Sequence, residues 1–136
     1  MVKRIVKNER GLTLIELLAV IVILGIVAAI AIPSIGGIIN KSKNDAKIAE
    51  GIQIINAAKM YMTANSFTPD DTGGSVQTLD ENDLNDYLDS VDAQSYEVQV
   101  HQGNAGKYTY YLKDHESVSL VDKNNDGLAS EQELSK

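Results

Sequence analysis

Hydrophobic and polar positions divide the chain into two unlike stretches. Between Gly11 and Pro33 every residue is apolar or small except Thr13 and Glu16, a run without the polar face that a water-exposed helix needs. As an α-helix the 21 residues from Leu12 to Ile32 would rise roughly 31 Å, the thickness of a hydrocarbon core. Pro33 removes a backbone donor, and Gly36 and Gly37 each weaken a helix by about 1 kcal/mol, so a kink or a locally melted stretch is expected there. From Asn40 onward the pattern becomes amphipathic: Ile48, Ile52, Ile55 and Met62 share one helical face. Lys41, Lys43, Lys47, Glu50 and Lys59 are left to water or to neighbouring molecules. Continuous from Leu12 to Ala64, the helix would be roughly 80 Å long, with a first half too apolar to stay exposed to water.

The remainder reads as a small mixed domain over residues 66–136. Ser66 to Thr78, with Pro69, Asp70, Asp71, Gly73 and Gly74, has the composition of a loop. Thr78-Leu79-Asp80-Glu81 has the form of a capping box, ahead of a short helix presenting Leu84, Tyr87 and Leu88. Period-two alternation in Tyr96–Val100 and again in Tyr108–Leu112, around a Gly103-Asn104-Ala105-Gly106 turn, predicts a hairpin, and Val118–Val121 a third strand. The expected fold class is α+β: a long N-terminal helix over residues 12–65, packed on an antiparallel meander. Tyr96, Tyr108, Tyr110 and Tyr111 are strand residues in this reading.

Charge orients the apolar run. Lys3, Arg4, Lys7 and Arg10 precede it, and the positive-inside rule keeps that end in the cytoplasm with the C-terminal part outside. Glu16 stands out, because a carboxylate one turn into a membrane helix costs about 2.5–3.5 kcal/mol and calls for a partner. A cut after Gly11 would supply one, the new amino group of Leu12 in an adjacent copy. A different reading takes Ala29-Ile30-Ala31 as a signal-peptidase site, which would release a soluble acidic monomer; the mature N-terminus separates the two.

The segment Glu9-Arg10-Gly11-Leu12-Thr13-Leu14-Ile15-Glu16-Leu17-Leu18 resembles the processing site of type IV prepilins and pseudopilins, and the likeness runs from about Lys7 to Met62. The resemblance implies a basic leader, residues 1–11, removed by a prepilin peptidase that then methylates Leu12. It assigns Glu16 to subunit registration and places Pro33 in the assembly helix. Leu12 stands where the family most often has phenylalanine. Implied partners are further copies in a helical filament, an assembly platform with its ATPase, and membrane lipid before assembly. The chain would wait in the cytoplasmic membrane and end in a surface filament. The leading expectation is a pilin of a type IV pilus, for adhesion, motility or surface contact. The alternatives are a pseudopilin of a type II secretion or DNA-uptake apparatus, and a monomeric calcium-binding membrane-anchored protein. The resemblance also points to a Gram-positive source.

Chemistry is concentrated near the C-terminus. Asp122, Asn124, Asp126, the Leu128 carbonyl, Ser130 and Glu133 fall at the ligand places of a twelve-residue calcium loop, with Gly127 at its sharp turn. Ala129 is smaller than the apolar residue usual in paired loops, and no second loop exists in the sequence. Calcium is expected to be structural, fixing the C-terminal tail in a chain that has no cysteine and so no disulfide. The net charge is −7, and loss of residues 1–11 would leave 8 basic against 18 acidic groups, a surface that repels nucleic acid. Neither His101 nor His115 has triad or zinc spacing. Both read as surface residues, Asp70-Asp71 as loop solvation, and the chain as no enzyme.

Overall fold

The computed structural model describes residues 9–71, 73–92 and 95–136, without the side chains of residues 9, 10 and 12. Most of the basic leader and the Leu12 side chain therefore lie outside the described residues. Helix α1 runs from Glu9 to Ala64, and the chain divides into two compact units, residues 1–41 and 42–136.

In the first unit the helix passes through Pro33, Gly36 and Gly37 without a break, so the expected melted stretch is not present in the single chain. Proline removes one bond of a ladder that both flanking turns still hold, and the Ser34 hydroxyl donates to the Ile30 carbonyl at 3.2 Å. The large apolar side chains from Leu14 to Ile39 are 48–70% exposed. Within this unit none of them has a core to enter.

The second unit has a core. Four strands, β1 (Val76–Asp80), β2 (Glu97–Gln102), β3 (Tyr108–Lys113) and β4 (Leu128–Ser130), form an antiparallel meander in chain order. Leu79, Val98, Leu112 and Ala129 stand opposite one another across all four strands and are buried. This row packs with Ile54, Ile55, Ala58 and Met62 of α1. The helical face is the expected stripe shifted toward Ile54 and Ala58, with Ile48 and Ile52 at its margin. Lys47 and Lys59, expected to meet water or neighbouring molecules, pair within the chain with Glu116 and Glu131. Gly51 sets the closest approach: a Cβ there would lie 2.5 Å from Ser117 Oγ and 3.0 Å from Leu112 Cδ2.

Three local expectations are corrected. Residues 76–78 are strand, because Gln77 occupies an inward position that its polarity disguised; it is buried, and its Oε1 accepts from Thr68 N–H at 2.9 Å. The short helix α2 (Glu81–Leu84), followed by a 3₁₀ turn at Asn85–Tyr87, is capped by Asp80 with Asp83 returning the bond, and not by Thr78 with Glu81. Val118–Val121 is a helical turn, α3, and the strand that closes the sheet is β4, inside the calcium-loop segment. Asp70 also does more than meet solvent: its carboxylate accepts from Thr78 N–H at 3.0 Å and from the Thr78 hydroxyl at 2.6 Å, while its own N–H donates to the Val76 carbonyl at 3.0 Å.

The Gly51 contact sets overpacking against helix propensity. Alanine gains about 1 kcal/mol as a helix former, whereas forcing a methyl into a filled site costs about 1–3 kcal/mol. Gly51→Ala should therefore lower the stability of the full chain in detergent by about 1 kcal/mol, read from denaturant unfolding; equal or greater stability would contradict the close approach.

Candidate assembly helix and calcium loop

Two groups of candidate residues fall in separate units. In the first, Gly11, Glu16 and Pro33 are exposed on α1, and Glu16 stands one turn beyond Leu12 in a surface made, apart from Thr13, Pro33 and Ser34, of Leu, Ile, Val, Ala and Gly. No neighbouring carboxylate or lysine shares this stretch up to Asn40. The carboxylate is a single charged point on a long apolar surface, an arrangement that can reward one register of contact over others.

The second group lies between α3 and a last short helix, α4 (Glu131–Leu134). Asp122 organises the loop: Oδ1 accepts from the N–H groups of Asn124 at 3.1 Å and Asn125 at 2.7 Å, and Oδ2 from Gly127 at 2.9 Å. Asp126 Oδ1 accepts from Leu128 N–H at 3.0 Å. Asn125 and Gly127 take positive φ, 57° and 77°, which glycine adopts without penalty and asparagine tolerates. Leu128–Ser130 then pairs with Tyr111–Lys113 of β3, so β3 provides the strand pairing that a second loop would otherwise offer. Ala129 fits because the space is closed: it lies in the buried row beside Leu112. Ser130 caps α4 by accepting from Glu133 N–H, and Glu133 Oε2 accepts from Ser130 N–H at 2.9 Å and from its hydroxyl at 2.8 Å.

The donor set suits a hard cation, with carboxylate, amide, carbonyl and hydroxyl oxygens at the required places. The side chains are not drawn into a cage: among the described residues no three His, Asp or Glu groups are gathered to hold a metal. In this conformation the carboxylates turn to the loop's own N–H groups. Those bonds favour the ionised forms. Asp122 is held below the usual carboxylate range mainly by the Gly127 N–H, and Glu133 by the N–H and then the hydroxyl of Ser130.

Sequence reasoning missed a buried polar group, His115 with Ser117 and Glu50, having taken His115 for a surface residue. His115 is only 5% exposed. The available signal was Gly51 beside Glu50 on the helix, a place where another segment must come close.

Comparison with known proteins bears on the first group. Residues 6–32 match the family model described as the prokaryotic N-terminal methylation motif. The chain is 33% identical over 63 residues to type II secretion system core protein G of Klebsiella michiganensis, covering 46% of this chain and 44% of that protein. It is 32% identical over 66 residues to the protein of the same name from Escherichia coli K12, and 37% over 65 residues to that of Klebsiella pneumoniae. These alignments cover 48% and 46% of this chain, and 46% and 45% of the respective relatives. The chain thus spans a little under half the length of the curated relatives it matches. None of them supports the expected Gram-positive source. No solved structure matches the chain significantly. With its methylation motif, long apolar helix and small antiparallel sheet, the chain resembles type IV pilin-family proteins, in the broad sense that includes pseudopilins.

The loop geometry generates a stability prediction with a pH window. Ser130→Ala removes the α4 cap and a partner of Glu133, and should cost about 1 kcal/mol in unfolding free energy. Asp122 and Glu133 have lowered folded values, so the stability they contribute is complete above their unfolded values near about pH 4 and fades as pH falls through the lower folded ones. Asp122→Asn should flatten that acid limb in a pH series of thermal melts; an unchanged slope would show that the loop carboxylates are not held as described.

Proposed function

We propose that the chain is a pseudopilin-type structural subunit: cut between Gly11 and Leu12, methylated on Leu12, and assembled through α1 into a filament of a type II secretion-like machine. The observation that carries this reading is the uncovered apolar surface from Leu14 to Ile39 in a helix that begins at a methylation motif. Such a surface is stable in lipid or among copies of itself, and transfer from one to the other keeps it dry. Glu16 then selects the register by meeting the terminal ammonium of a neighbour. The similarity to type II secretion core protein G favours the pseudopilin over the pilus subunit that sequence alone put first. A pilin of a surface pilus and a pseudopilin of a DNA-uptake apparatus use the same helix and remain the competing assignments. Prepilin peptidase, an assembly platform with its ATPase, and membrane lipid are the partners this role requires. The role is mechanical, without catalysis, and the acidic surface gives no direct nucleic-acid contact.

Native material should begin at N-methylated Leu12 by mass spectrometry, and Glu16→Ala should cut polymer yield about tenfold or more, the effect of losing roughly 1.4 kcal/mol at each added subunit. A retained leader, or an undiminished yield, would remove the basis of the proposal. Secretion of a folded substrate lost on deletion, with no sheared surface pili, would distinguish the pseudopilin from the pilin.

We further propose that Asp122, Asn124, Asp126, the Leu128 carbonyl, Ser130 and Glu133 hold a structural calcium ion, which would tie the C-terminal segment to the sheet. Asn124 offers a clean test, because only its backbone N–H is hydrogen-bonded within the loop. Calcium at 100 times its Kd should stabilise the chain by about 2.7 kcal/mol. Asn124→Ala should reduce that gain while leaving the melt in chelator unchanged. Identical melts with calcium and with chelator in the parent chain would refute the site.

A further inference from the structure

In the wall of a cleft of about 380 Å³, which Lys47, Glu50, Asp92, Ser95, Asp114 and Glu116 also line, lies a buried histidine with an unusual set of partners. The His115 side chain is 1% exposed. Its Nδ1 accepts from the Ser117 backbone N–H at 3.1 Å and lies 2.7 Å from Ser117 Oγ. A backbone N–H can only donate, so Nδ1 carries no proton and the neutral ring bears its hydrogen on Nε2. That atom faces Glu50 Oε2 at 3.5 Å. Ser117 is fully buried, with its hydroxyl against the backbone of Gly51 in α1.

We propose that the His115–Ser117 turn is an acid-sensitive latch, holding the segment that leads into α3 against α1 while His115 is neutral and releasing it when the ring gains a second proton. Protonation adds a hydrogen at Nδ1, where the Ser117 N–H already points. The Ser117 hydroxyl oxygen, 2.7 Å from Nδ1, can accept the new hydrogen, but the Ser117 N–H then faces a second donor and loses its acceptor in a buried place, so the bond that closes the turn is broken. Opening there reaches α3 directly. The N–H of Val118 donates to the His115 carbonyl at 3.0 Å, and that of Asp122 to the Val118 carbonyl at 2.8 Å.

Every charged group around the ring has been placed by the fold. From α1, Glu50 attracts the charged ring and Lys47 opposes it, though Lys47 is paired with Glu116. Asp92 and Ser95 approach from the segment before β2, and Asp114 and Glu116 from the turn itself. Glu50 acts at the Nε2 end, so its attraction leaves the conflict at Nδ1 in place. Burial outweighs it and depresses the histidine below its ordinary value. The sign follows: the unfolded chain takes up the proton first as pH falls below about 6.5, so the latch loses stability from there down to the lower folded value.

The test uses the full chain in detergent micelles with chelator present, so that it is independent of both the filament and the calcium readings. Imidazole ¹⁵N shifts should report the Nε2–H tautomer of His115 at pH 7.5. Amide protection factors over residues 116–122 should fall about tenfold between pH 7.5 and 5. His115→Asn keeps an acceptor for the Ser117 N–H without the titration and should keep its protection at pH 5, while His101→Asn should behave as the parent chain. The opposite tautomer, undiminished protection at pH 5, or an equal fall in His115→Asn would each overturn the latch.

Discussion

An apolar helical surface that its own chain does not cover is the constraint around which this protein is organised. Burial of a single large aliphatic side chain stabilises by about 1.5–3 kcal/mol, and sixteen such residues between Leu14 and Ile39 stay open in the isolated chain. Few forces in the molecule approach that sum, so the state of the protein is decided by what covers this surface. Lipid and like helices are both acceptable. The choice between them can then be biased by one charge, Glu16, because every other contact along the stretch is nearly equivalent in the two surroundings.

The second unit solves the opposite problem, that of making a small cysteine-free domain persist in water. It does so by stacking a four-strand row of buried residues on one face of α1, with Gly51 allowing the backbone of the helix to approach Ser117 and Leu112. Polar groups enter that contact only with partners: Gln77 accepts from Thr68, His115 from Ser117, and Ser130 exchanges bonds with Glu133. The C-terminal loop takes part in the core as well as in surface chemistry. Ala129 closes the row, so events at Asp122–Glu133 and at the His115 turn act on the same packed layer.

The long helix and the hairpin were legible because their periodicity is simple: an unbroken apolar run, an amphipathic stripe, and two alternating segments around a glycine turn. β1 was hidden by Gln77, a polar residue at an inward place that becomes acceptable only through a tertiary hydrogen bond. Val118–Val121 misled in the other direction, since four residues including two valines satisfy strand preference but a turn is dictated by Ser117 and Asp122 at either end. The spacing of the calcium-loop oxygens could be read directly, yet its pairing with β3 could not, because nothing local in Leu128-Ala129-Ser130 names its partner strand. His115 was misread for the same reason: its burial depends on Glu50 and Gly51, far away in the chain.

The two outer strands show how such a sheet behaves in company. β4 has only three residues and runs straight into the Ser130 cap of α4. The free side of β1 is occupied by Asp70, which bonds both the Val76 carbonyl and the Thr78 N–H. Neither border offers a run of open backbone groups on which a foreign strand could align. In the proposed filament, copies crowded side by side would therefore stay individually folded, with cohesion left to their helices instead of to runaway cross-β stacking.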